Sequence, residues 1–76
     1  MIPTPAQFRA ARVLLELTQE EAAQRVGVSV RTLITVEQGG GSRLSKERMM
    51  GGYLGEGVDF GMSDDGKAVT VGLRRP

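Results

Sequence analysis

Thr18-Gln19-Glu20-Glu21-Ala22-Ala23-Gln24-Arg25-Val26-Gly27-Val28-Ser29-Val30-Arg31-Thr32-Leu33-Ile34-Thr35-Val36-Glu37-Gln38 is the stretch on which the fold turns. Thr18 and Glu21 stand three residues apart. The Thr18 hydroxyl can accept from the Glu21 amide while the Glu21 carboxylate reaches back to the Thr18 amide, a reciprocal cap that starts a helix. Such a cap contributes ~1 kcal/mol. Ala22, Ala23 and Val26 form the apolar side of that helix. Gly27 ends it, because only glycine enters the left-handed conformation without a Cβ penalty. Ser29 caps the next helix, which reaches about Gln38, with Leu33 and Val36 on its inner side. Counted from Gln19, the apolar residues Ala22, Val26, Val28, Leu33 and Val36 fall where two short helices crossing steeply must bury carbon. Ala23 sits where they approach most closely, and Gly27 where the tight turn needs a positive φ.

Outward from this core, a preceding helix is expected over Pro5 to Glu16. Thr4 is its cap, Pro5 suits its first position, and Phe8, Ala11 and Leu15, with Leu14 beside them, form its inward stripe. Beyond Gln38 the composition changes: of eleven glycines, Gly27 alone lies within residues 4–38. Gly39-Gly40-Gly41 marks the boundary. A further helix is expected over Leu44–Leu54, capped by Ser42 or Ser45, with Met49, Met50, Tyr53 and Leu54 inward. Gly51 and Gly52 lie in its middle, each costing ~1 kcal/mol against Ala, so this helix is short, kinked or dependent on packing.

Residues 58–73 change period. Val58, Phe60 and Met62 alternate with Asp59 and Gly61; Val69, Val71 and Leu73 alternate with Ala68, Thr70 and Gly72. This is strand spacing. Ser63-Asp64-Asp65-Gly66 reads as a turn, with Asp65-Gly66 as a favoured two-residue hairpin loop. That loop sets Met62 opposite Val69, Phe60 opposite Val71 and Val58 opposite Leu73, all on one face. A three-residue loop would flip one strand and lose the match. The expectation is a mainly α fold: one domain over residues 1–76, with a helix-turn-helix bundle of about four helices over residues 4–56 and a C-terminal β-hairpin and tail over residues 57–76.

With 76 residues the chain has room for one small core. It has no Cys and no His. Thiol nucleophiles, histidine-based triads and Cys/His zinc sites are therefore outside its chemistry. Asp64 and Asp65 are explained by the turn, and no glycine cluster has the order of a phosphate or dinucleotide fingerprint. No catalytic residue, metal or cofactor is expected. The longest apolar run, Val13-Leu14-Leu15, is too short to span a bilayer and nothing resembles a signal peptide, so a cytoplasmic location is expected. Ten Lys and Arg against nine Asp and Glu leave +1. Global charge thus leaves nucleic-acid binding open.

Leu17-Thr18-Gln19-Glu20-Glu21-Ala22-Ala23, Val26-Gly27-Val28-Ser29, Thr32-Leu33 and Val36-Glu37-Gln38-Gly39 together resemble the Xre/Cro-like helix-turn-helix proteins of bacteria and phages. The likeness covers residues 5–39 firmly and extends loosely to Gly57-Val58-Asp59-Phe60. It implies a transcriptional regulator, often a repressor, that binds a near-palindromic double-stranded DNA operator as a homodimer. It implies that the third helix lies in the major groove. Val30, Arg31, Ile34 and Thr35 are then the candidate base contacts. Arg31 suits guanine O6/N7, and the methyl groups of Val30 and Ile34 suit thymine. Thr18, Gln19, Ser29 and Arg43 are the candidate phosphate contacts. Arg12 and Glu37 match a structural pair between the first helix and the end of the third.

Alternatives stay open on this pattern. Val30 and Ile34 are two branched apolar residues one turn apart, where many relatives carry polar ones. They suit equally a protein partner, as in an antagonist of another regulator. The hairpin, through Phe60, Val69, Val71 and Leu73, either forms the dimer interface or caps a monomer's core. Arg74 and Arg75 read as a solvated tail.

Overall fold

The computed structural model describes residues 1–74. Four helices come first: α1 (Pro5–Leu14), α2 (Gln19–Val26), α3 (Val30–Glu37) and α4 (Arg43–Gly55). Two antiparallel strands follow, β1 (Val58–Met62) and β2 (Val69–Leu73). Each helix opens on a hydroxyl cap: Thr4, Thr18, Ser29 and Ser42 accept from the amides of Gln7, Glu21, Thr32 and Ser45. The caps on α1 and α2 are reciprocal. Gly27 stops α2 at φ 79°, as the turn required.

The core is assembled from all the elements. Phe8 and Ala11 of α1, Ala22, Ala23 and Val26 of α2, Leu33 and Val36 of α3, Met49 and Tyr53 of α4 and Val58 of β1 are buried. Phe8, Tyr53 and Phe60 form an aromatic trio with ring centres 5.9 to 6.4 Å apart, tilted or edge-on as ring quadrupoles prefer.

The expected elements are all present, with local corrections. α1 ends at Leu14 rather than Glu16. Glu16 takes φ 58°, and its amide donates to Val13 while that of Leu17 donates to Arg12, so the chain doubles back two residues early. Leu14 is consequently exposed rather than inward, while Leu15 packs against the core as expected and Leu17 joins it. α4 runs one residue further at each end than Leu44–Leu54, and Leu54 is exposed rather than inward. Its glycines do not break it. A Cβ at Gly51 would meet open space, but one at Gly52 would lie 2.6 Å from Val26 Cα, so this glycine lets α4 approach the backbone of α2.

The strand register is the expected one: Val58 opposite Leu73, Phe60 opposite Val71, Met62 opposite Val69. The loop closing it is not a two-residue Asp65-Gly66 turn. Gly66 N–H donates to Ser63 O, Ser63 N–H donates to Ala68 O, and the Asp65 carboxylate accepts from Lys67 N–H. Four residues therefore separate Ser63 from Ala68. Two and four have the same parity, which is why the register survives. Arg74 is exposed but is not a loose tail. Its guanidinium donates to Leu54 O at 2.6 Å, at the C-terminal end of α4, and it pairs with the Asp59 carboxylate. The partial negative charge at a helix C-terminus favours a cation there. Arg75 lies outside the described residues.

The Tyr53 hydroxyl is buried and has no hydrogen-bond partner among the described residues. Burial, then the nearby Glu37 charge, pushes its ionisation up to about 12. The neutral phenol is favoured in the folded state, so stability is full below the ordinary value near 10 and falls as pH rises from there towards 12. Tyr53→Phe is expected to abolish this alkaline loss. At neutral pH it should leave stability unchanged or raise it by about 1 kcal/mol, since an unpaired buried hydroxyl is removed. Thermal melting of both proteins between pH 7 and 11 measures the difference.

Candidate nucleic-acid interface

The sequence-predicted contacts collect at the starts of α2, α3 and α4 and along the outer face of α3. At the start of α2, Thr18 is held by its reciprocal bonds with Glu21 at 2.9 and 3.1 Å. The Glu21 carboxyl is lowered below its ordinary range, first by the Thr18 amide and then by its hydroxyl. Gln19 is the first residue of α2, and its Nε2 donates to Glu37 Oε1 at 3.2 Å. A carboxylate only accepts, so this bond fixes which way the Gln19 amide points. One hydrogen of Nε2 stays available to a phosphate.

Ser29 spends its oxygen on the Thr32 amide at 3.1 Å, and the two hydroxyls pair at 2.9 Å. On α3, Val30, Arg31 and Thr35 are exposed and Ile34 is half-buried. The Arg31 guanidinium makes no hydrogen bond or ion pair among the described residues. Its five donors are all free for a fork on guanine. Thr35 differs: its hydroxyl donates to Arg31 O at 2.9 Å. That hydrogen is committed. Thr35 can offer lone pairs to a base amino group, or its methyl group, more readily than a donated bond.

Arg43 is the first residue of α4. Its loose pairing with Glu47 at 3.7 Å, with 81% of the Arg43 side chain exposed, costs little to exchange for another anion.

The outer face of α3 is held in place from behind. Glu37, its last residue, is 3% exposed. Its carboxylate receives Arg12 Nε at 2.8 Å and Nη2 at 3.2 Å in a fork, besides Gln19. The same fork, through the hydrogen bond to Glu37, raises the Arg12 guanidinium above its ordinary value, so Arg12 stays a cation. Arg12 also reaches Leu17 O, and Arg9 donates to Glu37 O, capping the end of α3. The expected Arg12–Glu37 bridge is present. The roles of Arg9 and of the Gln19–Glu37 bond gave no signal in the sequence. Gln7 was half visible, through the spacing Thr4-x-x-Gln7 of a reciprocal cap.

The residues expected at a dimer interface are divided. Phe60 and Val71 are partly buried and pack on the chain's own core. Val69 and Leu73 are exposed, together with Met62.

This is the geometry of a helix-turn-helix: two short helices joined by a glycine turn, the second braced at its far end and free along one side. A family model described as helix-turn-helix matches residues 8–50, more than half of the chain. The chain belongs to the Xre/Cro-like helix-turn-helix family. No curated protein matches it significantly. No helix among the described residues is long and apolar enough to cross a membrane.

Proposed function

We propose that the chain is a transcriptional regulator that represses by binding a near-palindromic operator as a homodimer, with α3 in the major groove. The observation that carries this reading is the free outer side of α3, with Arg31 unpaired, on a helix held at its far end by Glu37. Val30, Arg31, Ile34 and Thr35 meet base edges. Gln19, Arg43 and the capped starts at Thr18 and Ser29 meet phosphates. The second copy joins at the hairpin. Met62 and Val69 face each other across the two strands and are 50% and 42% exposed. A two-stranded sheet also leaves unpaired edges. A twofold there sets two α3 helices about one DNA turn, ~34 Å, apart.

Selection from random duplexes with the purified protein supplies the operator, and titration at rising salt tests the reading. Arg31→Ala is expected to weaken the selected site by ~1–3 kcal/mol and to relax preference at one base pair. Arg43→Ala is expected to weaken all sequences alike and to lower the salt slope by about one. Binding indifferent to salt and to Arg31→Ala overturns the assignment of α3 to the groove.

A second reading rests on one observation: Val30 is exposed beside half-buried Ile34, and Arg31 is the single cation on that face of α3. The same surface then docks on another regulator as an antagonist. Failure to shift any duplex at low salt, with a stoichiometric protein partner lost on Ile34→Asp, supports it over DNA binding.

A further inference from the structure

Gln7 is 2% exposed, and its side chain joins three places in the chain. Its Oε1 accepts from Thr4 N–H at 2.8 Å, closing the cap of α1. Its Nε2 donates to Gly61 O and to Thr70 O, both at 3.0 Å. Gly61 and Thr70 are direct partners across the hairpin, one residue from the exposed Met62–Val69 pair. One amide group thus pins both strands to α1. Further along the same helix, Arg9 and Arg12 hold Glu37 at the end of α3. α1 therefore carries the hairpin at one end and the recognition helix at the other, each through buried or half-buried polar bonds. These bonds are directional. Apolar packing between Phe8 and Phe60 resists separation but resists sliding far less.

We propose that Gln7 is a positioning residue for operator recognition: it fixes the angle between hairpin and α3, and so the spacing of half-sites that a dimer accepts. This rests on the reading of the hairpin as the dimer contact. The magnitudes make the lever sensitive. Each recognition helix lies ~17 Å from the twofold of a dimer spanning one DNA turn. A slip of about 10° at the hairpin swings it by about 3 Å across that arm, on the scale of the ~3.4 Å rise of one base pair, and so changes how the two helices seat together at a given spacing.

The test uses duplexes recovered from a random pool by the wild-type protein, rebuilt with spacers lengthened and shortened by single base pairs, and a duplex with one half-site. Wild type is expected to show one sharp spacing optimum. Gln7→Met keeps the size of the side chain and loses its bonds. It is expected to reduce the preference for the best spacing over its neighbours by about tenfold, the scale of one or two hydrogen bonds, while half-site affinity stays unchanged. Gln7→Glu retains the acceptor for Thr4 N–H but sets a carboxylate oxygen against the Gly61 and Thr70 carbonyls, replacing the two bonds by repulsion, so it is expected to broaden spacing at least as much, with the α1 cap intact. Melting temperature and amide exchange at Val69–Leu73 report folding in the same samples.

A spacing profile as sharp in a folded variant as in wild type overturns the proposal. So does a parallel loss at half-site and full site, which is what simple destabilisation gives. A wild-type protein without a spacing optimum overturns the dimer reading, and this proposal with it. That failure is recognised by its appearance before any substitution is made.

Discussion

Arg12→Met is expected to destabilise the protein by ~3–5 kcal/mol, the cost of leaving a buried carboxylate without its partner. Glu37 is 3% exposed, and among the described residues Arg12 supplies two of the three side-chain bonds to its carboxylate. Met fills the space of the Arg stem but carries no charge. The remaining partner, Gln19, is neutral. A chain of 76 residues has a total stability of roughly 4–11 kcal/mol, so the loss is a large share of the whole. Urea unfolding followed by far-UV circular dichroism measures it. The double variant Arg12→Met with Glu37→Leu removes both charges and is expected to recover much of the loss, because a buried pair replaced by apolar groups is often neutral or better. If Arg12→Met alone costs under 1 kcal/mol, the pair is in contact with solvent and α3 is held by apolar packing.

Gly52→Ala is the second large effect. Its new Cβ would stand 2.6 Å from both Cα and Cβ of Val26. The first of these is backbone and cannot swing aside, so α4 must move off α2. Overpacking of this kind typically costs 1–3 kcal/mol, sometimes more, and it exceeds the ~1 kcal/mol that Ala gains over Gly in a helix. Gly51→Ala is the control. Its Cβ would meet nothing within 4 Å, so only the helix preference remains and the variant is expected to be more stable by up to about 1 kcal/mol. Opposite signs at adjacent residues, read from melting temperatures, mark the close approach. Equal signs refute it.

The two glycines also show what the sequence could reveal. Side by side they read as two equal penalties, because helix preference is a local property. Which one faces a neighbouring backbone depends on how α4 lies on α2, and that is set by residues some 26 positions away. The same division holds elsewhere. The caps at Thr4, Thr18 and Ser29, the turn at Gly27 and the strand register were legible, because each follows from contacts within a few residues or from period alone. The end of α1 was not, since Glu16 adopts a conformation usually left to glycine. Arg74 looked like a loose basic tail until the end of α4 was in place to bind it.

At the candidate interface, the residues on the outer face of α3 could be named from the sequence but their hydrogen-bonding state could not. Thr35 has the composition of a donor and the geometry of an acceptor, because its proton is turned back on Arg31 O. Gln19 looked free, yet its amide is oriented by a carboxylate from another helix. Long-range hydrogen bonds of this kind leave no spacing in the chain. Gln7, with partners 54 and 63 residues away, is the clearest case.

The aromatic trio has a practical consequence. The chain has one Tyr and no Trp, so Tyr53 is its sole intrinsic fluorophore of useful strength. That ring touches the hairpin through Phe60 and the bundle through Phe8. Its emission and near-ultraviolet ellipticity are thus an unlabelled signal for whether the two parts are seated together.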